Sequence, residues 1–416
     1  MDEHAVLVGV LDLDDEGRLV QLTGVPETAH QHVRLLVRLH RAPLGYVRLA
    51  ACPTETLGQR AVAAAEAELG LALRRHELCH KTASATDQAT RERSQLSCPQ
   101  YFQPTGPGIS VVVCTRDRSH ELWGCLNSMR QFSYQPLEIL VIENAPKDDA
   151  TRQVVDAIGR LDSRIRYACE EEPGLSRARN RALVDAKFDI VAFTDDDALT
   201  DPGWPTALAA GFAADPLTTC VTGLVAANNL ESSSERYFDW RYAARQAFEP
   251  RHFIEDHSAA TLYPYNAGIF GTGANFAVRR KAILELGGFD PLLGVGSKGR
   301  GGEDLDIFLR IILSGGRINY LPSALVWHRH RADANTLHEQ IYAYGHGLGA
   351  YLAKHLGDRR LRRGLMAHGL RQLAMAFGRM SRAARESGLG VAAVRYWISE
   401  ARGVVAGALY FWSTAR

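Results

Sequence analysis

The sequence of 416 residues has no uncharged apolar segment of about 18 residues, so it predicts no transmembrane helix. The acidic start, MDEHAVLVGV, lacks the basic and apolar regions of a secretory signal peptide. The seven cysteines are scattered and include no CxxC pair, which argues against both a disulfide framework and zinc ligands. Together these absences predict a cytoplasmic protein with reduced thiols.

Lysine is also scarce, since only six of the 48 basic residues are lysines, and this bias suggests a bacterium with a GC-rich genome. The net charge of +1 is unevenly distributed. Residues 351–416 contain 12 basic and 3 acidic residues, which leaves +9 in this part and −8 in the remainder. We expect the basic C-terminal helices to pack on the rest of the protein, with peripheral contact at the inner face of an anionic membrane as the alternative. No nucleic-acid partner is expected.

Four segments differ in composition and pattern. Residues 1–82 combine strand patterns with one long helical pattern and predict a small α/β accessory domain. Residues 83–108 are polar, end in proline and glycine, and predict a linker. Residues 109–335 alternate strands with helices, which predicts a Rossmann-like, mostly parallel sheet. Residues 336–416 have a helical pattern throughout.

Polar side chains follow three predicted strands of the third segment, at residues 115–117, at Glu143 and at Asp195 to Asp197. Because the carboxyl ends of parallel strands meet at one edge of a sheet, we expect these groups to converge on one crevice. Three adjacent carboxylates repel one another, and a Mn²⁺ or Mg²⁺ ion would compensate their charge. On an extended segment Asp195 and Asp197 would point to one side and Asp196 to the other.

Basic residues at two further places are candidates for contact with an anionic ligand. GLSRARNRAL places Arg179 near a helix start, which is typical both of a solvated basic face and of an anion site. The glycine-rich loop DPLLGVGSKGRGG contains Lys298 and Arg300, which could close over phosphates. Its GVGSKG string matches GxGxxG but neither follows a strand nor opens a helix, so no dinucleotide fingerprint is expected.

Acids and histidines occur together near the end of the third segment. GGEDLD places Glu303, Asp304 and Asp306 at a helix start, where acids also stabilise the helix dipole. The glycine-rich loop before the two adjacent acids, Glu303 and Asp304, favours a functional role for them, whereas Asp306 is expected mainly to stabilise the helix. VWHRH places His328 and His330 at alternating strand positions, hence on one face. Such histidines are often core or surface residues, but their position near an acid cluster favours a metal ligand.

The series of motifs resembles the inverting GT-A glycosyltransferases of glycosyltransferase family 2, in particular actinobacterial members. The matching strings occur in family order from about Ile109 to Arg331, and they are SVVVCTRDR, VIENAP, GLSRARNRAL, FTDDDA, GTGANFAVRR, GGFD, GGEDLD and VWHRHR. The resemblance implies a GT-A catalytic domain over residues 109–335. It also implies a nucleotide-sugar donor, usually a UDP-sugar, and a hydroxyl-bearing acceptor that is a glycan, a lipid-linked molecule or a small molecule.

The resemblance also implies roles for individual residues. Asp304 would be the catalytic base, with Glu303 beside it on the acceptor side. Asp197 and His328 would bind a Mn²⁺ or Mg²⁺ ion, and Asp195 would approach the ribose or a water on that ion. The other expected contacts are Thr115, Arg116, Asp117, Glu143, Arg179, Asp196, Lys298 and Arg300 for the nucleotide donor, and Trp204, Gly273 and Asn275 for the sugar and acceptor pockets.

Other classes of protein share parts of this pattern. A nucleotidyltransferase acting on a sugar phosphate also pairs an α/β sheet with metal-binding acids, but it releases pyrophosphate. A glycosidase needs two carboxylates but no nucleotide crevice. A non-catalytic nucleotide-sugar-binding protein would bind the donor without turnover, and the intact GGED string argues against it.

Overall fold

The computed structural model describes residues 5–14, 16–25, 32–50, 57–82, 98–243, 247–256, 262–367 and 391–414. These residues form one small and one large β-sheet, both covered by helices. The predicted α/β class is confirmed, because helices cover a large sheet in which four of the eight strand pairs are parallel.

The N-terminal segment forms the small sheet. Its elements are β1 Val6–Leu13, β2 Leu19–Thr23, β3 His32–Leu39, β4 Ala42–Leu49 and α1 Leu57–Thr82. The strand order is β2-β1-β3-β4, with β1 and β3 parallel and the outer pairs antiparallel. Helix α1 covers one face and shares an apolar core with the strands. A tight turn at His40 and Arg41 joins β3 to β4, and both residues have positive φ, 52° and 66°.

The large sheet has nine strands and is formed by the chain after residue 104. Its strands are β5 Thr105–Thr115, β6 Gln135–Asn144, β7 Ile165–Glu170, β8 Ile190–Asp195, β9 Ala198–Thr200, β10 Thr218–Ala227, β11 Arg251–Phe253, β12 Asn275–Arg279 and β13 Arg317–His328. The order is β11-β13-β10-β12-β8-β5-β6-β7, with β9 paired to β13. Strands β6 and β8 flank β5, so the chain changes direction across the sheet at β5, where ligands bind in open α/β sheets.

Helices cover both faces of the large sheet, which explains the unbroken apolar runs of its strands. The helices of the chain after residue 104 are α2 Ser119–Met129, α3 Ala150–Gly159, α4 Leu175–Asp185, α5 Trp204–Ala213, α6 Ser233–Ala243, α7 Arg280–Glu285, α8 Glu303–Leu313, α9 Ala334–His355 and α10 Val391–Thr414. On β5, Val111 and Val113 face the core shared with α2, α3 and α5, whereas Val112 faces the core shared with α4 and α8.

The small sheet lies against the large one. Leu36 of β3 contacts an apolar group that includes Leu224 and Leu325 of β10 and β13. Arg34 of β3, which is buried, donates a hydrogen bond to Asp239 of α6. The first 50 residues are therefore in direct contact with the segment predicted to be catalytic.

Helices α9 and α10 pack closely through glycines. Gly345 and Gly349 of α9 face Gly403 and Gly407 of α10, and a β-carbon at Gly407 would lie 1.9 Å from the backbone oxygen of His346. No larger residue fits there without separating the helices. Residues 368–390, which contain much of the basic tail, lie outside the described residues. In the part of the chain that the structure describes, no helix is long and apolar enough to span a bilayer.

The predicted linker is only partly described. Residues 83–97 lie outside the described residues, and Cys98 precedes a short 3-10 helix, Pro99–Tyr101. Strand β5 begins at Thr105, upstream of Ile109, where the strand pattern of the sequence begins.

Candidate active site

The three adjacent acids lie where β8 ends. Asp195 is the last residue of β8, and Asp196 and Asp197 form the turn to β9. Asp196 accepts a hydrogen bond from Thr115 Oγ1 at 2.6 Å, on the side of β5. Asp195 and Asp197 lie beside His328. These two acids therefore share a partner, although Asp196 and Asp197 form a turn where the prediction assumed an extended segment.

His328 joins the acids because β9 pairs with β13. The pairing places Ala198 opposite His328, directly after Asp197 in the chain. The Nε2 atom of His328 lies 3.2 Å from Asp197 Oδ1 and 3.6 Å from Asp195 Oδ2. One candidate ligand atom from each of the three residues lies within 4.8 Å of the others.

These three residues fit a divalent cation. The side chain of Asp197 is only 3% exposed, and its Oδ1 atom faces the His328 ring nitrogen at 3.2 Å without a well-oriented hydrogen bond from any described residue. A buried carboxylate oxygen without such a bond is rare, and a bound cation is one standard explanation. Two carboxylates suit Mn²⁺ or Mg²⁺, and the imidazole favours a transition metal over Mg²⁺.

The pKa values in this group depend on a balance between burial and nearby charges. Burial alone would lower the pKa of His328, but the carboxylates of Asp195 and Asp197 outweigh burial and raise it to about 10. Burial likewise opposes the ionisation of Asp197, but His328 and Arg118 hold its pKa well below the usual range. Burial raises the pKa of Asp196 to about 7, in spite of its contacts with Arg118 and Thr115.

Two arginines that the sequence analysis did not select also contact the acids. Arg118 donates to Asp196 Oδ1 at 2.5 Å and to Asp197 Oδ2 at 2.7 Å. Arg331 lies 3.4 Å from Asp197 Oδ2. Both belong to strings that resemble the family, TRDR and VWHRHR, so their position beside predicted site residues was the available signal.

The acids of the GGEDLD string point in different directions at the start of α8. Asp304 is partly exposed and accepts a hydrogen bond from the backbone N–H of Gly273 at 2.8 Å. Glu303 is 5% exposed and accepts from Arg179 Nη1 at 2.9 Å. Burial raises the pKa of Glu303 to about 7, with Arg179 acting against this and Asp304 adding to it. Of these two acids, Asp304 is the one that an acceptor can reach.

Arg179 does not occupy the predicted position against the donor. Its side chain is 3% exposed and lies among the rings of Phe193, Phe276 and Phe289. Its second nitrogen donates to the carbonyl oxygen of Gly273 at 2.9 Å. The prediction of a diphosphate contact is therefore wrong for this conformation, because Arg179 links α8 to the GTGAN segment. The acceptor-side role predicted for Glu303 also conflicts with the structure, because Glu303 is buried against Arg179.

Two residues predicted to line the sugar and acceptor pockets are core residues instead. Trp204 is 0% exposed and donates from its ring nitrogen to Asn275 Oδ1 at 2.8 Å. Asn275 is also fully buried, and its amide donates to the backbone oxygens of Leu224 and Ala324. The bonds from Asn275 satisfy backbone oxygens of β10 and β13, so Trp204 and Asn275 both support the sheet. Gly273, by contrast, lies beside the partly exposed Asp304, and a β-carbon there would be 3.3 Å from Asp304 Oδ2.

The candidate donor contacts at β5 and β6 differ in exposure. Arg116 and Asp117 are exposed beyond the end of β5, and Asp117 forms an ion pair with Lys147 at 2.5 Å that lowers the pKa of its carboxyl. Thr115 is buried and holds Asp196. Glu143 is 2% exposed and accepts a hydrogen bond from the hydroxyl of Tyr167 at 2.6 Å.

The glycine-rich loop is anchored at its base and exposed at its tip. Leu293 is fully buried and contacts Phe411 of α10, and the Gly299 oxygen contacts His346 of α9 at 3.0 Å. Lys298 and Arg300 are exposed, and Arg300 has a positive φ of 60°. The loop thus presents two exposed basic side chains, of which Arg300 lies 5.6 Å from the centre of the Tyr342 ring of α9.

His330 does not join the metal group. Its ring lies against Phe238 with centroids 4.8 Å apart, and its Nε2 atom is 3.8 Å from Asp239 Oδ1. The strand β13 ends at His328, so the alternation that would place both rings on one face no longer applies.

The fold and this site define a glycosyltransferase of the GT-A class. The chain belongs to glycosyltransferase family 2, since residues 107–342 match the family described as "Glycosyltransferase like family 2". The family predicted from the motifs is thereby confirmed.

Two curated relatives are similar to this chain. It is 27% identical over 225 residues to the glucosyl-dolichyl phosphate glucuronosyltransferase of Haloferax volcanii, covering 53% of this chain and 69% of that protein. It is 26% identical over 290 residues to the pre-mycofactocin glycosyltransferase of Mycobacterium tuberculosis, an actinobacterium, covering 67% of this chain and 56% of that one.

Among solved structures, the chain resembles the mannosyltransferase PcManGT from Pyrobaculum calidifontis, which was determined with GDP-Man and Mn²⁺. The TM-score is 0.51 at 19% identity, with 85% of this chain and 98% of that chain covered. This similarity confirms the GT-A fold of the chain.

Proposed function

We propose that this glycosyltransferase moves a sugar from a nucleotide-sugar donor, a UDP-sugar, to an acceptor hydroxyl by a single displacement that inverts the anomeric carbon. The observation that carries the proposal is the group of Asp195, Asp197 and His328 at the end of β8, with a second, partly exposed carboxylate, Asp304, held separately. The group of three residues suits a cation beside the donor diphosphate, and Asp304 suits a general base.

Asp304 is the proposed general base. Its Oδ2 atom is held by the N–H of Gly273, so the carboxylate has a fixed position at the start of α8. It would take the proton of the acceptor hydroxyl as the acceptor oxygen bonds to the anomeric carbon. The bond from that carbon to the diphosphate breaks, and its electron pair leaves with the nucleoside diphosphate. A Mn²⁺ ion held by Asp195, Asp197 and His328 would neutralise the charge of this leaving group.

Glu303 and Arg179 are proposed as positioning residues. Glu303 holds one nitrogen of Arg179, and Arg179 holds the carbonyl oxygen of Gly273, whose N–H holds Asp304. This buried chain of contacts fixes Gly273 from both sides. It would keep Asp304 in place without contacting the substrates.

The nucleotide would lie against the ends of β5 and β6. Thr115 and Asp196 form the buried floor, Glu143 is the candidate for recognition of the base, and the exposed Arg116 and Asp117 are candidates for polar contact with the nucleoside. Lys298 and Arg300 at the tip of the glycine-rich loop would contact the diphosphate, since both are exposed cations.

A donor screen tests the proposal. Purified protein with Mn²⁺ is incubated with UDP-, GDP- and dTDP-sugars, and released nucleotide is measured. We expect release of UDP from one UDP-sugar, no pyrophosphate, and product stereochemistry opposite to that of the donor. Pyrophosphate formation from a nucleoside triphosphate would instead identify a nucleotidyltransferase. Donor binding without release in the presence of any acceptor would identify a binding protein.

We also propose that the protein acts in the cytoplasm with its C-terminal helix at the inner membrane face. Helix α10 exposes an apolar stripe together with the exposed Arg395 and Arg402, and the stripe consists of Val394, Ile398, Val405, Leu409 and Trp412. An apolar stripe with basic neighbours suits an anionic lipid surface. One relative is named for glucosyl-dolichyl phosphate, a lipid-linked molecule, and an acceptor of that kind would place the enzyme there.

Vesicle flotation tests this contact. Full-length protein should float with vesicles that contain anionic lipid and much less with neutral ones. Leu409→Lys should abolish flotation. Leu161→Lys should not, because Leu161 is similarly exposed but lies far from α10 in the sequence. Equal flotation of both variants would assign α10 to packing alone.

A further inference from the structure

A second group of metal-binding side chains lies outside the active site, where the small sheet meets the start of β5. It consists of His40 in the turn between β3 and β4, His76 on α1 and Cys98 just before the 3-10 helix. These three residues come from segments far apart in sequence. The scattered cysteines argued against zinc ligands in the sequence, because CxxC spacing reveals only ligands that are neighbours in the chain.

The distances within the group match a tetrahedral metal site. His40 Nδ1 lies 3.3 Å from His76 Nε2 and 3.6 Å from Cys98 Sγ, and one ligand atom from each residue lies within 4.8 Å of the others. Around a tetrahedral zinc ion, with bonds of about 2.1 Å to nitrogen and 2.3 Å to sulfur, two nitrogens are about 3.4 Å apart and a nitrogen and sulfur about 3.6 Å. The two pairs that involve His40 therefore already have the required separation.

The chemistry and burial of the group also suit zinc. Cys98 is 0% exposed and His76 is 5% exposed, so water is largely excluded from the ligand atoms. Thiolate and imidazole together select zinc over Mn²⁺ or Mg²⁺, which prefer oxygen. The site would therefore differ in metal from the group at the end of β8. Among the described residues the group has three members, and a tetrahedral ion takes one further ligand.

The backbone at His40 is held in an uncommon conformation that brings its ring to the group. His40 and Arg41 both have positive φ, which is unusual for residues with side chains. The turn directs Arg41 to Asp201 at 3.0 Å, beside Arg38, while the ring of His40 faces His76. Such strained positions often coincide with functional sites.

We propose that His40, His76 and Cys98 bind a structural Zn²⁺ ion that fixes the N-terminal unit to the start of the catalytic domain. The ion would join the hairpin, α1 and the segment leading into β5. Because β5 ends at Thr115 in the active site, the ion would stabilise the position of the central strand relative to the small sheet. Metal bound only by the folded chain adds directly to its stability.

Zinc content of the full-length protein tests the proposal. The protein is stripped with a chelator, reloaded with Zn²⁺ in the presence of excess Mn²⁺, desalted and analysed for metal. We expect about one zinc per wild-type chain and less than about 0.2 in His76→Ala and Cys98→Ala. Cys220→Ala removes a thiol that is equally buried on β10 and should keep the zinc, as should Asp197→Ala at the active site.

Cobalt substitution keeps the test decisive if a variant fails to fold. Co²⁺ bound to the wild-type protein and to Asp197→Ala should show a near-ultraviolet thiolate-to-cobalt band, since the active-site ligands contain no sulfur. A chelator should lower the melting temperature of the zinc-loaded wild-type protein. Absence of the band in the wild type, or retention of wild-type zinc by both His76→Ala and Cys98→Ala, would overturn the proposal and leave a hydrogen-bonded cluster.

Discussion

Substitution of Asp306 by Asn should destabilise the protein strongly, because Asp306 is a fully buried carboxylate surrounded by cations. It contacts Arg310 at 2.8 Å, Lys354 at 2.8 Å and His355 at 2.9 Å, and so joins α8 to α9. Burial opposes its charge, but the hydrogen bond with His355 and the charges of Arg310 and Lys354 outweigh burial and lower its pKa to about 2. The sequence suggested only a stabilising role at the helix start, and the structure makes this acid a link between two helices.

The magnitude follows from the pKa shift. A fall from the ordinary value of 3.8 to about 2 corresponds to about 2 kcal/mol of stability at neutral pH. Removing one partner of a buried ion pair usually costs about 3 to 5 kcal/mol. Here Lys354 keeps Asp290 and Arg310 keeps the oxygens of Leu286 and Gly288, so we expect about 2 to 3 kcal/mol.

Urea unfolding of wild type and Asp306→Asn between pH 7 and pH 3 is the assay. The folded-state pKa is depressed, so the contribution is present above the unfolded pKa and is lost as pH falls through about 2. The difference between the proteins should fall by about half at pH 3. Asp185→Asn, which removes a more exposed partner of Arg181, should change stability by less than about 1 kcal/mol. A difference below about 0.5 kcal/mol for Asp306→Asn at pH 7 would refute the reasoning.

Three predictions concern activity. Asp304→Asn should reduce turnover roughly 10²- to 10⁴-fold in steady-state assays with donor affinity little changed, and near-normal turnover would exclude Asp304 as the base. Glu303→Gln should lower turnover less than Asp304→Asn and leave the acceptor KM within a few fold. Its effect should not add to that of Arg179→Met, and a double-mutant cycle should give a coupling free energy of about 1 kcal/mol. Additive effects would show that the buried ion pair is not a unit. Asp197→Ala should lose Mn²⁺-dependent donor binding by calorimetry with the fold intact by circular dichroism, and full wild-type activity after exhaustive chelation would contradict a role for the metal.

Local pattern was enough to predict the architecture of the large sheet. The run from Ile109 to Thr115 is apolar throughout because helices cover both faces of β5. The carboxyl-end rule then brought Thr115, Asp195 and Asp197 to one edge without any knowledge of distances. The position of His328 at this edge could be predicted in the same way, since His328 ends a strand of the same sheet.

The tertiary structure decided which polar residues face the site and which support it. Arg179 and Asn275 belong to strings that resemble the family, and Trp204 was expected to line a sugar or acceptor pocket, yet each is buried and bonded to protein groups. Period and spacing assign a residue to a face of an element, and burial depends on what packs on that face. Arg118 was missed for the converse reason, because its two acid partners lie 78 and 79 residues further along the chain.

The particular contacts between the small sheet, the large sheet and the C-terminal helices could not be predicted from the sequence. His40, His76 and Cys98 are separated by dozens of residues. The glycines of α9 contact those of α10, although residues 368–390 lie between the two helices in the sequence. A sequence motif records only neighbours along the chain, whereas these groups form when separate elements dock. The sequence by itself therefore determined the family, the α/β class and the acids at the strand ends. Only the tertiary structure decided which carboxylate of the GGED string is accessible, because Glu303 is buried against Arg179. Docking of the N-terminal unit likewise decided where a second metal would bind, because ligand distances exist only after packing.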